Sequence, residues 1–438
     1  MERGFESMRI LMFGWEFPPH MSGGLGTACF GMTKALTGLG HEVIFVVPKL
    51  NGKKYPSHVE LVSASEIPVP DPYTAGSDVF HGLDIRIIPS SLKPYLNEDQ
   101  YAALLERQEI IHSTWKTEGK EEKRYRLFEI SERYGPNLID EVSRYGKVAG
   151  IIAENQTFDV IHAHDWMTIP AAMHAQKISG KPLILHIHAL EFDRSGDHIN
   201  QDIYDMERRG MSLADHIIAV SHYTKNMIVN RYAILPDKIT VVHNAVSRAE
   251  AGAAYKVERH TDKQTVLFLG RITFQKGPDY FVEAAAKVLK EIPHVTFVMA
   301  GAGDMMPRMI QRVAQLRIGK NFHFTGFLQG SEVEQIFAMS DLYVMPSVSE
   351  PFGISPLEAM VYDVPVIISK QSGVSEILRH ALKVDFWDVK EMANKMIAIL
   401  KFPALSAEIV DRSREEVRNI RWENAAEKMV TVYRSCGK

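Results

Sequence analysis

Cysteine is almost missing: among 438 residues only Cys29 and Cys436 carry a thiol, far apart and outside any motif. That excludes a disulfide framework and a cysteine-based zinc site, and it fits a cytoplasmic protein with reduced thiols. Long hydrophobic runs are missing as well. No 18 uninterrupted apolar residues occur, so no membrane span is expected. The apolar run beginning at Met8 is too short for a signal-peptide core and reads as a first buried strand. Neither sign of charge prevails. The 50 Lys and Arg against 54 Asp and Glu leave a net charge of -4, which speaks against a protein dominated by nucleic-acid or anionic-membrane binding.

What is present is an ordinary globular composition, 45% hydrophobic and 24% charged, in a chain too long for one core. Two domains of roughly 200 residues each are expected. Short apolar runs alternate with longer amphipathic stretches, the pattern of parallel sheets wrapped by helices. In the first half, residues 9–13, 43–47, 158–162, 182–187, 216–220 and 239–242 read as strands. Residues 27–39 read as a helix closed by Gly40. The rhythm breaks at about 51–149, an insertion with prolines, short strand-like pieces and a charged, helical stretch at 121–134. It reads as a lid or acceptor platform, or as a plain solvated elaboration. Residues 247–264 are the best linker. Beyond it the alternation restarts, with strands at 265–269, 296–300, 322–324, 342–345 and 364–368 and helices at 278–291, 305–316 and 332–339. The expected fold is therefore α/β, two doubly wound Rossmann-like domains sharing one cleft beyond the carboxyl ends of their strands. The boundaries are 8–248, 249–412, and a terminal segment 413–438 whose helix near 422–433 packs back on the first domain.

Four segments carry candidate chemistry. Gly270-Arg271 to Lys276-Gly277 leaves a strand and enters a helix at Pro278, where a guanidinium and an ammonium suit a diphosphate. Glu350-Pro351-Phe352-Gly353 precedes Ser355-Pro356-Leu357-Glu358, which reads as a capping box with serine at N-cap and glutamate at N3. Glu358 thus has a structural duty compatible with ribose binding, whereas Glu350 has none. The loop containing Ser22-Gly23-Gly24 joins the first strand to the first helix and lets backbone approach a substrate. His162 and His164 end another strand on one face, as do His186 and His188. With Asp165, Glu191 and Asp193 they form a possible metal set, but strand-end histidines more often hydrogen-bond substrate or backbone, so no metal is expected. Gly301-Ala302-Gly303 is half a dinucleotide fingerprint and supports nothing by itself.

Taken together, the chain resembles retaining glycosyltransferases of the two-Rossmann-domain (GT-B) type, particularly family 4 and the bacterial and archaeal glycogen synthases. The resemblance runs through Ser22-Gly23-Gly24-Leu25, His162-Ala163-His164-Asp165-Trp166, His243-Asn244-Ala245, Arg271 to Lys276, Glu350 to Glu358, and the turn at Gly373. It implies that Arg271 and Lys276 neutralise the donor diphosphate, with Gly23, Gly24 and Gly353 on the donor side. It also implies that Glu358 holds the nucleotide ribose and that Glu350 lies near the transferred sugar. His164 would hydrogen-bond that sugar, and Asp165, His188 and Asp193 would line the sugar or acceptor side. Met21 stands where glycogen synthases carry lysine, and Glu358 is retained where they often replace it. Both features lean toward family 4.

The activity so implied is transfer of a hexose, glucose first, from ADP- or UDP-glucose to a glycan, with retention of configuration and no cofactor. Glu350 is either a nucleophile or a positioning group. A small or lipid-linked acceptor, a sugar-nucleotide epimerase and an inactive sugar-nucleotide-binding module are the alternatives. Donor alone would yield epimerised sugar in the epimerase case, and binding without turnover in the last.

Overall fold

The computed structural model describes residues 7–18, 24–49, 57–67, 69–70, 115–118, 123–126, 138–246 and 263–437. The first sheet has seven parallel strands. They are β1 (Arg9–Phe13), β2 (Glu42–Val47), β3 (Glu60–Ser63), β7 (Val160–His164), β8 (Leu183–Ile187), β9 (His216–Ala219) and β10 (Ile239–Val241). The order is β10-β9-β8-β7-β1-β2-β3. Three short strands stand apart as a separate sheet, β4 (Val69–Pro70), β5 (Trp115–Glu118) and β6 (Lys123–Arg126). The second sheet contains β11 (Thr265–Leu269), β12 (Thr296–Ala300), β13 (Phe322–Gly326), β14 (Leu342–Met345), β15 (Val366–Ser369) and β16 (Leu382–Val384), ordered β13-β12-β11-β14-β15-β16. Both sheets count outward from their first strand in one direction and then jump to the other side. A crevice therefore opens between β1 and β7, and another between β11 and β14, where neighbouring connections leave in opposite directions.

Buried strands read as apolar runs because helices cover both faces of each sheet. Leu267 and Phe268, for example, lie in different core clusters on opposite faces of β11. The helices of the first lobe are α1 (Gly24–Gly38), α2 (Leu138–Asn155), α3 (Asp165–Ser179), α4 (Glu191–Ser195), α5 (Gln201–Leu213) and α6 (His222–Tyr232). Gly40, with φ +86°, ends α1 in the left-handed conformation expected of it. The second lobe adds α7 (Pro278–Glu291), α8 (Met306–Gln315), α9 (Ser331–Ala338), α10 (Ser355–Val361), α11 (Val389–Lys401), α12 (Pro403–Asn419) and α13 (Trp422–Cys436).

The chain crosses back to the first lobe after α12. Ile409 and Val417 belong to cores of the second lobe, whereas Trp422, Ala426 and Met429 join the core around β1 and α1. The indole of Trp422 lies so close to Gly31 that a Cβ there would sit 2.2 Å from Nε1. The crossover thus falls near 420–421 rather than 413, because α12 still buries its apolar face in the second lobe.

Two expectations about the insertion change. β3 pairs with β2 and α2 contributes Val142, Tyr145 and Val148 to the first core, so residues 60–63 and 138–149 belong to the domain's own layers. Lys123–Arg126 is a strand antiparallel to Trp115–Glu118, not part of a helix. The helical reading rested on charge density, which a two-stranded ribbon carries equally well. The rest of that region, and residues 247–262 of the expected linker, lie outside the described residues.

Candidate active site

The loop after β11 is built by glycines that let backbones cross. Gly270 (φ +156°) leads out of the strand, and Gly277 (φ +65°) turns the chain into α7 with its Cα against Pro346, where a Cβ would come within 2.2 Å of the carbonyl oxygen. Gly301 and Gly303, the half fingerprint, serve the same loop from β12. Side chains there would strike the carbonyl oxygens of Gly270 at 1.9 Å and Ile272 at 2.3 Å. Their role is close packing beneath the cationic loop.

That packing delivers Lys276 to Glu350, which lies just beyond the end of β14. Nζ donates to Glu350 Oε2 at 2.5 Å, and Ser347 Oγ donates to the same oxygen at 3.0 Å. Glu350 is only 6% exposed, and its backbone is held by bonds from its N–H to Gln371 O (3.0 Å) and from Gly373 N–H to its carbonyl (2.9 Å). Arg271 shares the loop and donates to Gln275 Oε1 at 3.1 Å. A small cavity between β11 and β14 is lined by Lys276, Tyr343, Ser347, Glu350 and Ser355.

The expected capping box does not form. Residue 354 occupies the N-cap position of α10 in helical conformation without a side-chain cap, and the N–H groups of Leu357 and Glu358 donate to Ile354 O at 2.8 and 3.1 Å. The helix starts one residue earlier than a capping box requires, with Ser355 at its first position, which leaves Glu358 without that duty. Among the described residues its carboxylate makes no hydrogen bond, and burial pushes its pKa up to about 7. It follows Ser355 by one turn of α10, and Tyr343 feels the charges of both Glu350 and Glu358. Gly353 (φ +95°) makes the bend that starts this helix, and a Cβ there would press on Glu350 and Met345 at 3.1 Å.

Across the cleft, parallel pairing of β7 with β8 sets His164 beside His186 in register. All four strand-end histidines meet. His164 Nδ1 pairs with His188 Nε2 at 3.0 Å, and His162 Nε2 with His186 Nδ1 at 3.2 Å. His164 is fully buried while His188 is half-buried, so the imidazole on the open side is His188. Burial holds both in the neutral form, the pKa of His188 falling to about 3. Asp165 adopts φ +57° and accepts from the N–H groups of His188 (2.6 Å) and Ala189 (3.2 Å). Its carboxylate braces the β8 exit rather than facing the cleft. Burial raises it to about 6 against the pull of those N–H groups.

Asp193, on α4, bridges the lobes. Oδ2 accepts from Leu190 N–H at 2.8 Å and Oδ1 from Ser349 Oγ at 2.5 Å. Tyr223 OH lies 2.9 Å from the same Ser349 oxygen. Glu376 of the second lobe accepts from the N–H groups of His222 (2.9 Å) and Tyr223 (2.6 Å) at the start of α6, and from His243 at 3.0 Å. Gly373 permits the contact, since a Cβ would reach Ser221 Cβ at 2.5 Å. Glu191 is spent on Arg194, whose guanidinium also binds Glu207 at 2.7 Å and the Ala189 carbonyl at 3.2 Å, fixing the loop that carries His188 and Asp193.

Lys276, Arg271 and Glu350 thus gather at the β11/β14 switch point, with Glu358 one turn into α10 beyond it and Asp193 reaching it from the other lobe through Ser349. His164 and Asp165 stand behind His188, and Gly24 opens α1. Gly23 lies outside the described residues. Ser349, Tyr223, Glu376 and Arg194 were not singled out from sequence. A loop serine and a tyrosine at a helix start carry no pattern, and the Glu191-to-Arg194 spacing was the one signal available.

Residues 9–235 match the family described as the starch synthase catalytic domain, and residues 254–416 match glycosyl transferases group 1. The chain is 27% identical to an uncharacterised glycosyltransferase of Methanocaldococcus jannaschii, over 98% of each chain. It is 24% identical to the glycogen synthase of Mycobacterium tuberculosis H37Rv, over 97% of this chain and 94% of that one. The fold is similar to sucrose-phosphate synthase of Thermosynechococcus elongatus, with a TM-score of 0.71 at 18% identity over 98% of each chain. The two Rossmann-like lobes and these matches along nearly the whole length agree: the chain belongs to the starch synthase catalytic-domain family and is a glycosyltransferase of GT-B architecture.

Proposed function

We propose that this glycosyltransferase moves glucose from ADP- or UDP-glucose to an α-glucan with retention of configuration. The observation that carries the reading is the Lys276–Glu350 pair at the β11/β14 crevice, beside which Ser349 binds Asp193 of the other lobe. The anomeric C–O bond breaks, and its electron pair goes to the β-phosphate oxygen. The acceptor hydroxyl oxygen bonds to the anomeric carbon from the same face, and its proton passes to the leaving phosphate. Arg271 and Lys276 stabilise the charge that develops there, with no divalent ion required at the diphosphate. Glu350 acts as a positioning group. Its Oε2 is already shared by Lys276 and Ser347, which orients the carboxylate and lowers its nucleophilicity. Glu358 takes the ribose diol, for which a carboxylate that makes no hydrogen bond among the described residues is suited. His188 meets sugar hydroxyls, steadied from behind by His164.

The relative named glycogen synthase, matched over 97% of this chain, supports a glucan acceptor. The test is a screen of nucleotide sugars for thermal stabilisation, followed by assay of the best with glycogen and maltooligosaccharides. ADP- or UDP-glucose should raise the melting temperature and elongate glycan with release of nucleotide. Ligand at a hundredfold excess over Kd stabilises by about 2.7 kcal/mol, well within detection. Epimerised sugar from donor alone, or stabilisation by no nucleotide sugar, overturns the reading.

A further inference from the structure

Behind the open side of the first lobe, His162, His164, His186 and His188 spend half of their ring nitrogens on each other. Helix α13 adds a fifth group, since Tyr433 OH lies 2.5 Å from His162 Nδ1. The remaining contacts are His162 Nε2 to His186 Nδ1 and His164 Nδ1 to His188 Nε2. Two nitrogens are left over: Nε2 of His164 and Nε2 of His186 are buried without a hydrogen-bond partner. Both residues are at most 1% exposed.

A neutral imidazole carries one N–H and one lone pair. Each leftover nitrogen is therefore an orphaned donor, costing about 1–3 kcal/mol, or a bare lone pair. An arrangement of lone pairs that suits an ion is available. If His162 Nδ1–H donates to the Tyr433 oxygen and the His186 proton sits on Nε2, the facing His162 Nε2 and His186 Nδ1 each present a lone pair to an ion between them. If His164 Nδ1–H donates to His188, Nε2 of His164 presents a lone pair as well. Ligand atoms from His162, His164 and His186 lie within 4.8 Å of one another, and the 3.2 Å between His162 Nε2 and His186 Nδ1 matches the spacing of neighbouring ligands on one ion.

We propose that His162, His164 and His186 form a binding site for a transition-metal cation of the zinc class, distinct from the diphosphate cations and independent of the donor and acceptor proposed above. Three imidazoles without carboxylate or sulfur select Zn²⁺, Ni²⁺ or Cu²⁺ over Mg²⁺ or Ca²⁺. The outer supports are in place: Tyr433 holds the second nitrogen of His162 and His188 that of His164, the arrangement that fixes ring orientation around bound metals. His188, half-buried, stands between the cluster and the cleft on the side by which an ion would enter.

The test uses the full chain without a histidine tag, stripped with chelator and then titrated separately with Zn²⁺ and Co²⁺. One equivalent should bind per chain, Zn²⁺ should raise the melting temperature, and Co²⁺ should show ligand-field absorption. His186→Gln should abolish all three signals. Tyr433→Phe keeps every ligand and should weaken Zn²⁺ binding by about 10–100-fold, so it decides the matter if the glutamine variant misfolds. No bound equivalent in the wild type, or equal binding by the wild type and either folded variant, overturns the site. A buried water would then be what satisfies the two nitrogens.

Discussion

At the crevice of the first sheet, β7 and β8 end in neutral imidazoles that bond one another. At the crevice of the second, β11 and β14 end in a lysine paired with a glutamate. One strand order thus presents two chemistries. The first lobe buries its polar groups, and burial drives His164 and His188 away from the charged form. The second sets a partly exposed cation against a buried anion, the Lys276 side chain being 22% exposed and that of Glu350 7%, because glycine-built loops bring backbone and cation together at the strand ends. Neutral donors and acceptors suit hydroxyls, and fixed charges suit phosphates. The transfer proposed above would gain by keeping the two kinds of group on separate lobes.

The comparison breaks most readily at Lys276. Lys276→Ala should cost about 10²–10³-fold in turnover while the melting curve stays close to wild type, as for removal of one preorganised charge-stabilising donor. His188→Ala in the same assay should cost less, and equal losses would erase the division of labour. Next is Gly277→Ala, which forces a left-handed residue against the Pro346 carbonyl and should destabilise by about 1–3 kcal/mol in denaturant titration. Ser349→Ala removes the donor to Asp193 and the partner of Tyr223, and should cost about 1 kcal/mol, read as a lower melting temperature and a larger radius of gyration if the lobes part.

The last comparison is read through a proton. Burial raises Glu358 from 4.5 to about 7, so the folded protein retains a proton that the unfolded chain releases. That contribution to stability is complete below pH 4.5 and fades as pH rises through 7. Wild type should therefore lose stability relative to Glu358→Gln across that interval. Ribose hydroxyls donating to the carboxylate would favour its charged form. Calorimetry at pH 6.5 in buffers of different ionisation enthalpy should then show a fraction of a proton released on donor binding, and Glu358→Gln should show none.

The eleven strands read from apolar runs lay within about two residues of their observed positions, because such runs are what a sheet covered on both faces requires, whereas the edge strands β3 and β16 were not read. Gly270-Arg271 to Lys276-Gly277 was legible as a cationic loop at a strand end, since its cations follow a strand and precede Pro278. The capping box was misread. Ser355 and Glu358 have the right spacing, but the path of residues 350–354 decides where the helix begins, and that path depends on bridging Glu350 to residues 371–373. The role of Gly301 and Gly303 escaped for a similar reason, because the backbone they admit belongs to another strand's loop.

By itself, the sequence determined the two-lobed α/β architecture, the cations of the second lobe and the face shared by each pair of histidines, all consequences of local periodicity and composition. Only tertiary structure decided that Lys276 meets Glu350 across 74 positions, that Asp193 meets Ser349 across 156, and that Tyr433 reaches His162 across 271. Register between parallel strands and contact between lobes bring together residues whose separation along the chain leaves no periodic trace.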